Sequence, residues 1–178
     1  EITTRLVGSE MCIRDSPITL LGAGESSDAY HMSSPEPHGK GAEGAIRRAL
    51  SNANLTPDEI DYLNLHGTGT PQNDAAECEA VYRVFGDKVL VSSTKPLTGH
   101  TLGAAGITDA LLAILTLCSP VTLPAQLRDS TKIDPQLATV NWVKKATRVA
   151  PKRVMSNNFA FGGNNTSLFF GSIPVSYT

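Results

Sequence analysis

Two histidines lie in glycine-bearing loops, each between a predicted strand and a predicted helix. His66 belongs to the segment 64–74 (NLHGTGTPQND) and His100 to the segment 92–106 (SSTKPLTGHTLGAAG). In open α/β sheets, ligands bind beyond the carboxyl ends of the strands, where both histidines would lie. Two neutral imidazoles there can donate hydrogen bonds to one developing oxyanion. The pattern therefore predicts an oxyanion-stabilising pair, whereas a lone histidine at a strand end is more often structural.

Lys95 follows a predicted strand and precedes a proline. In this position it is either a solvated surface lysine or the buried partner of an acid. Glu77, three residues after Asp74 on the neighbouring predicted helix, is the candidate acid. A buried Lys95–Glu77 pair would be charge-compensated, whereas either group alone is costly to bury. The placement suggests a pair that orients His100.

A third motif, 156–165 (SNNFAFGGNN), has two glycines after a strand that carries two phenylalanines. The simpler interpretation is a hairpin with a hydrophobic face. In the functional alternative, the flexible Gly162 and Gly163 place a backbone N–H at a reacting carbonyl, and Phe161 gates an acyl pocket.

The elements that must position these motifs alternate along the chain, which predicts the α/β class. The loop 26–41 is long, polar and rich in Ser, Pro and Gly, and the segment from Pro120 to Thr139 is expected to be irregular. Strands are predicted at Ile18–Gly24, Tyr62–Leu65, Lys88–Ser92, Val154–Asn158 and Thr166–Ile173, and helices at Ala42–Ala53, Asp74–Phe85 and Leu102–Leu117.

Composition narrows the possible functions of this chain. Its 178 residues are 40% hydrophobic and 18% charged, which fits one globular domain or a piece of one. The net charge is −2 with both signs interleaved, so nothing suggests a nucleic-acid partner. The longest apolar stretch, Ile107–Cys118, is too short to span a bilayer and is interpreted as a buried helix. The glycine-rich loops match neither nucleotide-binding fingerprint.

Three widely spaced cysteines, Cys12, Cys78 and Cys118, argue against a disulfide framework and against a zinc site. We expect no metal, a cytoplasmic location, and small buried hydrophobic roles for Cys78 and Cys118. Residues 1–16 (EITTRLVGSEMCIRDS) have neither the apolar region of a signal peptide nor a convincing hydrophobic periodicity. We interpret them as a non-native leader, with a native loop as the alternative, and assign 17–178 to the domain.

Four segments in this order resemble the carboxy-terminal half of the β-ketoacyl-acyl carrier protein synthases with a Cys-His-His site. They are 28–35 (DAYHMSSP), 64–74, 92–106 and 157–165, and the resemblance runs from Pro17 to about Gly171. It implies a thiolase-like αβαβα sandwich of two similar halves, of which this chain supplies most of the second.

The resemblance also implies roles for individual residues. His66 and His100 would stabilise the enolate formed when malonyl-acyl carrier protein loses carbon dioxide, with Lys95 and Glu77 supporting them. Phe161 would be the acyl gate whose amide helps form the oxyanion hole. The residues expected to contact the phosphopantetheine arm are Thr68, Thr70, Ser33 and Ser34.

The implied reaction is a decarboxylative Claisen condensation with an acyl group held on a cysteine thiolate. That cysteine would lie in the other half, and none of the three cysteines here fits, so we expect the chain to be inactive alone. The implied substrates travel on the phosphopantetheine of acyl carrier protein, with no permanently bound cofactor.

Departures from the usual motifs suggest a subfamily outside housekeeping fatty acid synthesis. They are Gly69, Asn73 and the Asn164–Asn165 pair, and they resemble the aryl polyene type, with a polyketide type equally open.

Members of the family form homodimers or heterodimers with a chain-length factor, and the resemblance implies the same for this chain. The alternative function is such a noncatalytic chain-length factor, which retention of His66 and His100 disfavours. A thiolase is disfavoured because Thr101, not proline, follows His100.

Overall fold

A six-stranded mixed sheet forms the centre of the chain. The computed structural model describes residues 18–118, 120–123, 125–126 and 133–172. The interpretation of residues 1–16, Cys12 included, and the predicted end of the last strand at Ile173 lie outside these residues.

The observed elements match the predicted alternation, with shifted ends. The strands are β1 Ile18–Ser27, β2 Tyr62–Asn64, β3 Leu90–Ser92, β4 Val121–Leu123, β5 Asn141–Trp142, β6 Thr147–Val149, β7 Arg153–Ala160 and β8 Asn164–Ser172. The helices are α1 Lys40–Ala53, α2 Pro71–Phe85, α3 Lys95–Thr98 and α4 Ala105–Cys118, with 3-10 turns at Pro57–Glu59 and Leu102–Ala104. The sequence missed β4, β5, β6 and α3, because elements of two to four residues are too short to show a period.

The sheet order is β1-β8-β7-β2-β3-β5, and β4 pairs with β6 in a separate two-stranded sheet. Strands β2, β3, β5 and β7 run parallel, and β8 is antiparallel to both of its neighbours. Because β2 and β3 are parallel neighbours, their carboxyl ends meet at one edge of the sheet. The loops that carry His66 and His100 begin at that edge.

The two faces of the sheet carry separate cores. On one face, α1 and α2 pack through residues such as Ile46 and Val81 against Leu63 and Met155. On the other face, Ala110 and Ala113 of α4 pack against a cluster that includes Tyr62, Val143 and Val154. Side chains alternate along a strand, so even-numbered residues of β2 and β7 face α4 and odd-numbered ones face α1 and α2.

Helix α4 is only half-covered, which corrects the prediction of a buried helix. Ile107, Leu111 and Leu115 are 61%, 51% and 55% exposed and form one stripe at four-residue spacing. Cys118 at its end is also exposed, so its predicted buried role is wrong, whereas Cys78 is buried as expected. The helix is apolar on nearly all sides, and hydropathy alone does not tell which side is covered. No helix among the described residues is long and apolar enough to cross a membrane.

We expect this chain to self-associate through the α4 stripe, because a contiguous apolar patch on a surface drives association. Replacing Ile107, Leu111 and Leu115 together by glutamine should raise the monomer fraction in size-exclusion chromatography. Replacing Tyr82, which is 50% exposed on α2, by glutamine is the matched control and should change nothing. Unchanged oligomers in the triple variant would contradict the assignment of the stripe.

Candidate active site

The structure brings the two predicted histidines together. His66 lies two residues after the end of β2 and is buried, while His100 lies two residues after the end of α3 and is exposed. Their ring centroids are 5.6 Å apart, with the rings nearly perpendicular. Phe159 of β7, which the sequence did not single out, lies against the other side of His66 with ring centroids 5.7 Å apart.

Lys95 pairs with Asp109 of α4, not with Glu77 as predicted. The distance from Lys95 Nζ to Asp109 Oδ2 is 2.6 Å, and both side chains are buried. Thr94 donates its hydroxyl to the other carboxylate oxygen of Asp109 at 3.0 Å. A sequence signal for this partner existed, because Asp109 is the only charged residue in an otherwise apolar helix and such a charge needs compensation when buried.

The Lys95 ammonium supports His66, and not His100 as the sequence suggested. Lys95 Nζ donates to the backbone carbonyl of His66 and lies 3.4 Å from the Nδ1 atom of its ring. The ion pair with Asp109 therefore ties α4 to the end of β2.

Glu77 holds the same loop from the opposite face of the sheet. Its carboxylate accepts the backbone N–H groups of His66 and Gly67, each at 2.8 Å, and a side-chain N–H from Asn157 at 3.3 Å. Burial raises the pKa of Glu77 to about 7, although these three donors act to lower it. Glu77 of α2 thus holds the backbone at His66 in place through hydrogen bonds.

The loop after β2 lies against the loop after β3 at Gly67. Its backbone has φ of +45°, and a Cβ there would lie 2.6 Å from the Cβ of Ser93. Ser93 also donates its hydroxyl to the Gly67 carbonyl at 3.1 Å. A residue without a side chain is needed here for both conformation and space.

The contacts at Nδ1 assign the proton of both histidines to the same ring nitrogen, Nε2. Burial, together with the charges of Lys95 and His100, lowers the pKa of His66 to about 3, although a hydrogen bond with the Asn158 side chain acts to raise it, so this imidazole is neutral. Its Nδ1 faces the Lys95 ammonium, which leaves Nε2 to carry the proton. Nδ1 of His100 accepts the Leu102 backbone N–H at 3.3 Å, which likewise leaves Nε2–H free to donate.

The opposite pKa shifts of His66 and Glu77 predict how stability depends on pH. The pKa of folded His66 is about 3 against an ordinary 6.5, so its contribution is complete above 6.5 and is lost as the pH falls towards 3. The pKa of folded Glu77 is about 7 against 4.5, so its contribution is complete below 4.5 and is lost as the pH rises through 7. The two slopes should cancel between 4.5 and 6.5.

This dependence is measured by urea unfolding at pH values from about 3 to above 7, comparing the chain with its Glu77→Gln and His66→Gln variants. Relative to Glu77→Gln, the unsubstituted chain should lose on the order of 3 kcal/mol between the two Glu77 pKa values. Relative to His66→Gln, it should lose on the order of 5 kcal/mol towards the acid end. Parallel curves for chain and variant would contradict the corresponding shift.

The residues predicted to contact the phosphopantetheine arm lie on loops near this edge. Thr68 and Thr70 share a hydrogen bond at 2.9 Å between their hydroxyls. Ser33 and Ser34 are exposed on the loop after β1. That loop contacts the β7–β8 turn, because Gly162 donates its backbone N–H to the Met32 carbonyl at 2.7 Å.

The third motif forms a hairpin, which confirms the simpler interpretation of its sequence. Strands β7 and β8 pair in antiparallel register and the turn between them is 161–163. Phe161 projects from the turn and is 81% exposed.

A cavity of about 330 Å³ opens beside the histidine loops. Both apolar and polar residues line it, among them Leu65, Thr68, Lys95, His100, Gln126 and Trp142. Within the described ranges, no group of three or more His, Cys, Asp or Glu side chains is placed to hold a metal ion.

Cys78 also lines this cavity, but its chemistry is not that of a nucleophile. Burial and the carboxylates of Glu77 and Asp74 raise the pKa of the Cys78 thiol to about 12. A thiol in this state carries almost no thiolate near neutral pH.

The comparison with known families agrees with this geometry. The model of the family described as "Beta-ketoacyl synthase, C-terminal domain" matches residues 18–127, which are more than half of the chain. The chain belongs to the β-ketoacyl synthase family. The prediction of the carboxy-terminal part of a thiolase-like α/β sandwich is thereby confirmed, and solved ketosynthases match this synthase chain over most of its length.

Three relatives illustrate the match. The 3-oxoacyl-[acyl-carrier-protein] synthase 2 of Vibrio harveyi is 40% identical over 158 residues, covering 86% of this chain and 38% of that protein. A chain in the structure of the ketosynthase ApeO with its chain length factor ApeC from Xenorhabdus doucetiae is 51% identical, with a TM-score of 0.85, covering 89% of this chain and 40% of that one.

A β-ketoacyl synthase from Burkholderia phymatum is 37% identical, with a TM-score of 0.81, covering 88% of this chain and 38% of the other. The chain therefore spans about two fifths of the length of these relatives.

Proposed function

We propose that this chain supplies the decarboxylation site of a β-ketoacyl-acyl carrier protein synthase, with His66 and His100 as its catalytic residues. The observation that carries the proposal is the pair of imidazoles 5.6 Å apart, each with its Nδ1 engaged, which assigns the proton of each ring to Nε2. Such a pair can donate two hydrogen bonds to one thioester oxygen as negative charge develops on it.

In the proposed reaction, the bond between the carboxylate carbon and the α-carbon of a malonyl thioester breaks and carbon dioxide leaves. The electron pair moves into an enolate whose oxygen accepts the two Nε2–H bonds. The enolate then attacks an acyl group bound to a cysteine thiolate, a carbon–carbon bond forms, and the thiolate departs. We place that cysteine in a part of the full synthase other than this chain.

The neutral state of His66 suits this role, because a donor that keeps its own proton does not end the reaction by protonating the enolate prematurely. Lys95, balanced by Asp109, and Glu77 hold the His66 backbone from opposite faces of the sheet. Both support the geometry of the donor without themselves needing to reach the substrate.

We further propose that the phosphopantetheine arm of acyl carrier protein enters along Thr68, Thr70, Ser33 and Ser34, with Phe161 as the acyl gate. The exposure of Thr70, Ser33, Ser34 and Phe161 supports this path, as does the contact between the Ser33 loop and the Phe161 turn. Thr68 is half-buried beside Thr70. The proposed partners are acyl carrier protein and either a second synthase subunit or a chain-length factor. The free thiols of Cys78 and Cys118 support a reducing, cytoplasmic setting.

The alternative, a noncatalytic chain-length factor, has less support. It gives no reason for a buried Lys95–Asp109 pair and a buried Glu77 to converge on one histidine backbone. The X. doucetiae complex contains both a ketosynthase and a chain length factor. The structural similarity therefore does not distinguish the two functions, and the choice between them depends on the residues of the site.

The proposal is tested with a chimera in which residues 18–172 replace the matching segment of the Vibrio harveyi synthase. We expect the chimera to release carbon dioxide from malonyl-acyl carrier protein and to form a β-ketoacyl product. The control chimera carries His66→Ala with His100→Ala and should do neither. A chimera that melts cooperatively but releases no carbon dioxide above this control would contradict the proposed function.

A further inference from the structure

A chain of buried polar side chains runs from β8 to Glu77. Ser167 donates its hydroxyl to Asn157 Oδ1 at 2.8 Å, and Asn157 donates its amide N–H to Glu77 Oε1 at 3.3 Å. Ser167 and Asn157 are fully buried and Glu77 is 2% exposed.

The Ser167 hydroxyl and the Glu77 carboxylate together orient the asparagine amide. Ser167 and Asn157 are directly opposite each other in the β7–β8 register, so their side chains lie side by side on one face of the sheet. Because the Ser167 hydroxyl donates to Oδ1, the NH2 group of Asn157 is turned towards the carboxylate. The reversed amide would set two oxygens against each other at Glu77.

The surroundings of this pair are apolar. Met155 and Phe169, the neighbours of Asn157 and Ser167 on the same face, belong to the core beneath α1 and α2. The antiparallel ladder of β7 and β8 joins the strands through the backbone alone. Polar side chains in such a layer cost free energy unless they are hydrogen-bonded, so the strands themselves do not require them.

We propose that Asn157 and Ser167 are positioning residues that hold the Glu77 carboxylate against the amides of His66 and Gly67, and thereby fix where the His66 ring reaches. The catalytic consequence rests on the proposed function, whereas the contact with Glu77 does not. Asp74, Cys78, Lys95 and His100 are the other ionisable groups that line the cavity beside Glu77.

The test follows the titration of the Glu77 carboxyl by carbon-13 NMR in this chain. Asn157→Leu removes one of the three donors and should raise the Glu77 midpoint by about one pH unit. Ser167→Ala frees the amide to turn and should raise it by a smaller amount. Ser156→Ala is the matched control, a buried β7 serine on the opposite face whose hydroxyl has no hydrogen-bond partner among the described residues, and should leave the midpoint unchanged.

An unchanged Glu77 midpoint in Ser167→Ala and Asn157→Leu overturns the proposal, and if Asn157→Leu does not fold, Ser167→Ala decides alone. In the Vibrio harveyi chimera, Asn157→Leu should lower kcat for decarboxylation by about tenfold with little change in KM. If the variants shift the Glu77 titration in this chain but the unsubstituted chimera is inactive, the positioning role is kept and the proposed function is rejected.

Discussion

Replacing Lys95 by methionine is expected to lower the free energy of unfolding of this chain by about 3–5 kcal/mol. Methionine fills a similar space, but it leaves the buried Asp109 carboxylate without its counter-charge. The side chain also loses its bond to the His66 carbonyl. Urea unfolding near neutral pH, followed by the fluorescence of the single tryptophan, Trp142, measures the loss.

Two further variants separate the buried charge from other causes. Lys95→Met combined with Asp109→Leu removes both charges and should recover most of the stability. Lys88→Met breaks an ion pair with Asp58 whose two side chains are 72% and 68% exposed, and should leave the stability almost unchanged. Equal losses in Lys95→Met and Lys88→Met would mean that the Lys95 pair is not effectively buried.

The position of the histidine pair was predictable because its causes are local. An apolar segment followed by a glycine-bearing loop places His66 at a strand end, and the same arrangement precedes His100. Parallel neighbours share an edge, so the two loops had to meet if their strands were adjacent. The sequence does not state that adjacency, but two strand–loop–helix units in succession favour it.

The partner of Lys95 was not predictable in the same way. Glu77 and Asp109 are both acids on helices next to the right loop, and the choice depends on which face of the sheet each helix covers. The odd and even residues of β2 face different helices, so α2 brings Glu77 to the backbone of His66 while α4 brings Asp109 to Lys95. Only the three-dimensional arrangement distinguishes these faces.

Other features depend on contacts between residues far apart in sequence. Glu77 and Asn157 are 80 positions apart, and Phe159 meets His66 only because β7 lies beside β2. The exposure of Ile107 and its neighbours on α4 likewise depends on what covers the helix. Local patterns predict elements and loops well, but they carry little information about which side chains meet across a sheet.

Substituting His66 by alanine in the Vibrio harveyi chimera is expected to reduce carbon dioxide release from malonyl-acyl carrier protein by more than about 100-fold. The reason is the loss of one of two donors to the enolate oxygen, an interaction that strengthens only as the charge forms. The effect should therefore appear in kcat and much less in KM. His100→Ala is the parallel variant, and radiometric carbon dioxide release measures both.

The matched control is His38→Ala, because this exposed histidine pairs with Glu79 on the surface and lies in none of the histidine loops. It should leave the rate unchanged. The pH profile adds an independent check: with a pKa of about 3, His66 stays neutral through the weakly acidic range, so its protonation should not produce a loss of rate centred near 6.5. Undiminished carbon dioxide release in His66→Ala would remove His66 from the mechanism, because the reaction would then proceed without its imidazole.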